Sequence, residues 1–292
     1  MKNIRKQLLL LLLLGLGWPV TAQTADKYSF PATYNQEAAQ GMAIYKHFAF
    51  LLNNGGHCRI YNLKNERLEA DFDMESAKYE KNHCNNASFG VEFPTENKEF
   101  PSFYVAECYG ELCCFVESVT RNGSQLIQVL KIEGTTNRSF DWVVDRKQKY
   151  LYAIGRPSDA VVDSIGTKIY RISKFPLPSL DRKEVVFTDD DILEQFEIGF
   201  RNLSQGASIR ENYLYLPVGR HSAPGEEKYK DGHRDVIIVN LKTKQVEKVI
   251  DVQDIVAGEP EDIDFYGNNL MMYCGQKDGG VYNLKKIYNK CN

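Results

Sequence analysis

One four-strand unit, repeated five times, limits the fold of this chain more than any other feature. Apolar and polar residues alternate in short runs, and Gly, Asn, Asp and Lys clusters break the runs apart. The first unit has strands at residues 40–45, 48–52, 58–63 and 68–72. The second has 87–91, 103–108, 113–119 and 125–132, and the third has 139–144, 150–154, 168–172 and 185–188. The fourth has 205–209, 213–218, 236–241 and 246–251. The fifth has 263–265, 270–274 and 281–287, and lacks a last strand. Third strands share a beat of apolar, Tyr, polar, apolar and Lys, as in Ile60-Tyr61-Asn62-Leu63-Lys64 and Val281-Tyr282-Asn283-Leu284-Lys285.

Units open near residues 40, 87, 139, 205 and 259. Propeller repeats run to ~40–50 residues with four strands per blade. The longer third unit has visible sources, an extended loop at 157–166 and an inserted segment at 188–203. The pattern predicts an all-β, five-bladed β-propeller with four-stranded blades. The N-terminal segment 27–34 is expected to supply the missing strand of the last blade and close the ring, which removes an open sheet edge. A two-sheet sandwich also uses many short strands, but a repeated four-strand unit favours the ring. Aromatic content of 12% suits β-structure, and tyrosines are expected on the surface. One helix is expected at 188–196, where acids open an apolar run and cap its first turn. These aspartates lack the alternation and Gly of a Ca²⁺ loop.

The first residues read as an export signal. Lys2, Arg5 and Lys6 precede an unbroken leucine run at 8–14, and Val20-Thr21-Ala22 offers small residues to a signal peptidase. The expected processing is signal peptide 1–22, cut between Ala22 and Gln23, then a single domain over 23–292. The apolar run is short for a span of ~20 residues, and no later segment is long and apolar enough. The expected location is secreted or periplasmic, with no stable membrane span after cleavage. Net charge is −3, with no basic field to suggest nucleic acid. All seven cysteines lie beyond residue 22, where disulfides are permitted. Cys58–Cys84, and Cys108 with Cys113 or Cys114, are the expected pairs. Buried free thiols are the alternative, and an odd count leaves one Cys over.

In a propeller, the openings of the inner strands gather at one end of a central channel. Those positions here are polar: Gln40-Gly41, Asn85-Asn86, Ser139 with Asp141, Gln205-Gly206, and Glu259-Pro260-Glu261-Asp262. The expected ligand-binding residues are Gln40, Asn86, Asp141, Gln205, Glu259, Glu261 and Asp262. The clustered acids should raise one another's pKa, or bind a cation or sugar hydroxyls. The same groups could instead satisfy only turns and channel water. The Gln-Gly and Glu-Pro-Glu openings resemble those of phage receptor-binding propellers and of propellers labelled teichoic-acid biosynthesis proteins. That resemblance implies a propeller fold and the binding of a surface glycan or protein, and carries no catalytic residue.

Other motifs exclude more than they include. His57-Cys58 and His83-Cys84 could ligate a soft metal, but half-cystines explain the spacing as well. The loop at 219–234 could cover a ligand entrance or be simply solvated. Gly-x-Ser-x-Gly, the phosphate loop and His-Glu-x-x-His are all missing, and so is the combined Gly-His and Trp-Asp signature, since no Trp is followed by Asp. No cofactor and no metal is called for. Asn86, Asn122, Asn137 and Asn202 open glycosylation triplets. Two readings stand: an exported propeller binding a glycan, peptide or partner protein, or a glycosidase-like enzyme pairing Asp141 with Glu261 across the channel.

Overall fold

The computed structural model describes residues 25–28, 39–79, 82–95, 97–108, 110–135, 137–158, 167–219, 233–275 and 279–285. The expected signal peptide, Cys291 and most of the 219–234 loop lie outside them. In chain order, β1 (Asp26–Lys27) precedes the first blade of β2 (Ala39–Tyr45), β3 (Phe48–Asn53), β4 (His57–Asn62) and β5 (Arg67–Asp73). The second blade has β6 (Cys84–Phe89), β7 (Phe103–Glu107), β8 (Cys114–Thr120) and β9 (Gly123–Ile132). Next come β10 (Asn137–Asp145), β11 (Tyr150–Pro157), β12 (Lys168–Pro176), β13 (Glu184–Phe187) and β14 (Glu194–Phe200). The fourth blade is β15 (Ser208–Arg210), β16 (Tyr213–Val218), β17 (Asp235–Asn240) and β18 (Gln245–Asp251). The last is β19 (Pro260–Tyr266), β20 (Asn269–Cys274) and β21 (Gly280–Asn283).

Apart from β13, each set pairs antiparallel as one sheet, and the inner strands β2, β6, β10, β15 and β19 succeed one another around an axis. The fold is a five-bladed β-propeller. The N-terminal strand closes it: β1 pairs antiparallel with β21 as the outermost strand of the last blade, and the Tyr28 N–H donates to the Val281 carbonyl at 3.0 Å. The closing contact falls at 26–28, at the start of the expected 27–34 segment, and 29–38 lie outside the described residues.

The core consists of five apolar layers, one between each pair of neighbouring blades. Middle strands feed two layers at once, because successive side chains point to opposite faces. Phe48, Phe50 and Leu52 of β3 face blade two, while Ala49 and Leu51 face blade five. In β20, Leu270, Met272 and Cys274 face blade four and Met271 and Tyr273 face blade one. Hence these strands read as unbroken apolar runs, whereas the outer strands β5 and β18 alternate with solvent. Burying one Phe such as Phe50 contributes about 1.5–3 kcal/mol. Its ring meets Phe89 and Phe100 edge-on at 4.9 Å, a favoured geometry. Tyrosines expected at the surface are largely in these layers: Tyr61, Tyr104, Tyr170 and Tyr273 are fully or almost fully buried.

The structure corrects three further expectations. The segment at 185–188 is not the outer strand of blade three. As β13 it pairs parallel with β9 and gives blade two a fifth strand. The expected helix at 188–196 is one 3₁₀ turn, Asp189–Asp191, followed by β14, which takes the outer place in blade three. The cap is present: Asp191 Oδ2 accepts from the Thr188 N–H at 2.7 Å. The helical spacing of Ile192 and Phe196 yields to the alternation of 194–200, whose outer residues face solvent.

The expected disulfides are also absent among the described residues, where Cys58, Cys84, Cys108, Cys113, Cys114 and Cys274 are buried free thiols. Register explains the second pair: Cys114 lies opposite Ala106, and the Cys113 carbonyl accepts from the Glu107 N–H, so neither faces Cys108. Cys58 and Cys84 share the layer between blades one and two without bonding. Burial pushes the thiol of Cys113 up to about 12, and the others also upward, which makes them unreactive. Finally, Asn86 is fully buried and Asn202 nearly so, so those two glycosylation triplets offer no accessible acceptor.

Candidate functional site

Every inner strand carries one extra residue at the same place. Ala39 pairs with Asn53 and Met42 with Leu51; Cys84 pairs with Glu107 and Ala87 with Val105. Asn137 and Phe140 oppose Pro157 and Gly155. Ser204 bridges Val218 while Ser208 opposes Tyr215, and Pro260 and Ile263 oppose Cys274 and Met272. These are five equivalent β-bulges, which re-aim side chains where they occur. The bulged pairs are Gln40-Gly41, Asn85-Asn86, Arg138-Ser139, Gln205-Gly206 and Glu261-Asp262. Arg138 apart, they fall among the polar openings seen in the sequence, gathered at one end of the ring.

The repeated glycine has a steric cause. A Cβ on Gly206 would lie 2.4 Å from Asp262 Oδ1 and 2.7 Å from the Glu261 carbonyl. On Gly41 it would lie 2.9 Å from the Cys84 carbonyl. Backbones of neighbouring blades approach too closely there for any side chain. The shared Gln-Gly is therefore, in its second residue, a packing requirement.

Asp262 sits at the convergence and is fully buried. Its Oδ2 accepts from the Met42 N–H at 2.8 Å and the Ala87 N–H at 3.0 Å. Its Oδ1 accepts from Ala207 N–H at 3.2 Å and Ile263 N–H at 2.8 Å, and Asn86 Nδ2 reaches both oxygens. One carboxylate thus ties blade five to blades one, two and four. Burial pushes its pKa well up, and these N–H donors pull it down. Two residues on, Asp264 repeats the device, accepting from the Ile44 N–H at 2.6 Å and the Ser208 hydroxyl at 3.0 Å.

Around this plug the other polar residues are laced together. Asn85 Nδ2 donates to Asp141 Oδ1 at 2.6 Å and to the Gln205 carbonyl at 2.5 Å. Gln205 Nε2 donates to Glu259 Oε1 at 2.5 Å. Four of the five blades are thereby linked across the opening. Glu261 is buried, and burial first, then Glu259 and Asp262, push its carboxyl well up. That is the mutual effect expected of clustered acids. Burial also raises Asp141 from 3.8 to about 7, opposed by Asn85. Three enclosed acceptors have no protein donor: Gln40 Oε1, Asn86 Oδ1 and Glu261 Oε2.

The seven expected residues thus share one end of the channel, with different exposures. Gln40, Gln205 and Glu259 are partly exposed, while Asn86, Asp141, Glu261 and Asp262 are buried. A cavity of about 20 Å³, room for about one water, lies beside Asp141. Its wall includes Asn85, Cys108, Arg156 and Tyr170. Asn85 was visible in the sequence as part of a polar opening. Arg156 and Tyr170 come from the second and third strands of blade three and carried no local signal, and Cys108, just past β7, was read only as a half-cystine.

No protein-family model matches the chain, and no curated protein matches it. Among solved structures it is similar to Kuenenia stuttgartiensis hydrazine synthase at 13% identity, with a TM-score of 0.36. That match covers 80% of this chain and 61% of the other, so this chain spans under two thirds of it. It is also similar to the computationally designed Ika8 protein, at 12% identity and TM-score 0.35, covering 86% and 72%. The expected link with phage receptor-binding or teichoic-acid propellers finds no support in these matches; the five-bladed arrangement stands on the sheets themselves.

Proposed function

We propose that this chain is exported after loss of residues 1–22 and binds a glycan, peptide or partner protein at the channel mouth. The observation that carries this reading is the ring of five equivalent bulges. A single structural device, repeated in every blade, delivers polar groups to one end. Binding sites are concave places where a few polar groups converge. The half-exposed members, Gln40, Gln205 and Glu259, are the ones a ligand can reach, while Asp262 holds the ring. Among the described residues no helix is long and apolar enough to cross a membrane.

Glycan arrays and pull-downs with purified 23–292 test the reading. Gln205→Ala and Glu259→Gln should each weaken capture by about tenfold, the equivalent of ~1.4 kcal/mol. Capture unchanged in both variants, with the fold intact by circular dichroism, removes the mouth as the binding place. Expression with the native leader should yield a protein beginning at Gln23 by mass spectrometry, outside the cytosol.

The glycosidase-like alternative draws on one observation. Such chemistry needs an ionised and a protonated carboxyl at the same pH. Burial pushes both carboxyls up, Asp141 to about 7 and Glu261 well above its usual range, which suits either of them to hold a proton for donation. Turnover of aryl glycosides lost in both Asp141→Asn and Glu261→Gln supports this reading. Turnover equal in the variants and the native protein eliminates it.

A further inference from the structure

A second constellation lies at the outer part of blade four. Asp235 opens β17 and Asp251 ends β18, and the two are cross-strand partners. Side chains of such partners share a face, and like charges there repel. His233 stands two residues before Asp235 and turns to the same side. Its Nε2 lies 3.2 Å from Asp251 Oδ1 and 3.5 Å from Asp235 Oδ1, and the three donor atoms all fall within 4.8 Å of one another.

Metal–nitrogen and metal–oxygen bonds of ~2.0–2.2 Å in a tetrahedron require neighbouring donors about 3.3 Å apart. The two His–Asp separations match that edge. The backbone around the cluster is braced: Asn202 Nδ2 donates to the His233 carbonyl at 2.8 Å, and the Gln253 N–H donates to Asp251 Oδ1 at 2.9 Å. Arg234, between the ligands in sequence, turns away and donates to the carbonyls of Gln253 and Gly258.

Blade one supplies a comparison within the same molecule. There His57 and Asp73 occupy the equivalent cross-strand positions. But His57 uses both nitrogens, Nδ1 on Asp73 at 2.7 Å and Nε2 on Asp71. Arg59 Nε adds a cation to Asp71 at 3.2 Å. That cluster carries a cation of its own. In blade four the positions of Arg59 and Asp71 are taken by Ile237 and Val249, so two carboxylates and one imidazole remain without a guanidinium.

We propose that His233, Asp235 and Asp251 bind a first-row divalent cation of the zinc class at the channel-mouth end of blade four. Imidazole with carboxylates suits such ions, and three protein ligands leave a coordination position open. The side chains of His233 and Asp251 are 47% and 68% exposed, so that position faces solvent. The site lies at the same end of blade four as the rim. A single rung crosses the blade from Ser204 to Val218, Asp235 and Asp251, and Ser204 adjoins Gln205. The site stands on its own geometry and needs no ligand at the mouth.

The test uses metal-stripped protein titrated with Zn²⁺ by calorimetry and with Co²⁺ by absorption. One equivalent of Zn²⁺ should bind, and Co²⁺ should develop visible ligand-field bands. His233→Ala and Asp251→Asn, both at exposed side chains, should each weaken Zn²⁺ by about tenfold or more. His57→Ala should leave it unchanged. No uptake by the native protein, or equal uptake in His233→Ala and Asp251→Asn, overturns the proposal.

Discussion

Asp262→Ala should lower the unfolding free energy by about 3–5 kcal/mol, or prevent folding outright, since removing the acceptor of a buried polar network strands its donors. The donors stranded are the N–H groups of Met42, Ala87 and Ala207, which belong to three other blades. Each buried N–H left without an acceptor costs about 1–3 kcal/mol, and a shared network is not additive. Asp262→Asn is the sharper probe. It keeps the shape but turns an amide NH₂ toward groups that are themselves donors, so it should incur most of the same loss. Urea denaturation measures both. An Asn variant within about 0.5 kcal/mol of the native protein would show that the native side chain carries a proton there, and the view of Asp262 as an acceptor for four blades would fall.

That role bears on what the sequence could disclose. The strand rhythm was legible because each middle strand is buried on both faces and each outer strand on one, and these two conditions write different patterns. Residues 48–52 and 270–274 read as solid apolar runs, while 245–251 alternate. The incomplete fifth unit pointed to the N-terminus as its missing strand, and β1 fills that place. The polar openings were legible too, but their division of labour was not. Gln40-Gly41 and Gln205-Gly206 look like repeated ligand contacts, whereas the glycines answer to backbone atoms of the next blade.

The failures share a cause, which is competition decided by distant contacts. Residues 184–187 have the alternation of any outer strand, and only the reach of β9 recruits them into blade two. The turn at 189–191 carries real capping chemistry, but the following alternation and the open edge of β12 convert it into an approach to β14. The cysteine spacing allowed a hairpin disulfide that a one-residue difference in register forbids. The His233 cluster was illegible for a related reason: Asp251 is remote in sequence and meets Asp235 only through the pairing of β17 with β18.

Asp141 makes the stability of this propeller fall as pH rises toward neutrality. Its carboxyl titrates near 3.8 in an unfolded chain and at about 7 in the folded one, with burial as the main cause. Between those values the folded state holds a proton that the unfolded state has released. Protons bound in excess by the folded state mean that unfolding becomes easier as pH increases. The contribution is therefore complete below about pH 4, is lost steadily up to about pH 7, and is flat beyond. At about 1.4 kcal/mol per pH unit the full span comes to roughly 4.5 kcal/mol. Asp141→Asn keeps an acceptor for Asn85 and cannot ionise, so it escapes the penalty. Relative to the native protein, its unfolding free energy should rise by about 3 kcal/mol between pH 5 and pH 8, with urea denaturation at each pH as the measurement. A gap that stays constant across that range would mean Asp141 remains ionised throughout, held by Asn85 and by water in the adjoining cavity. The acid–base reading that relies on a protonated Asp141 would then lose its footing.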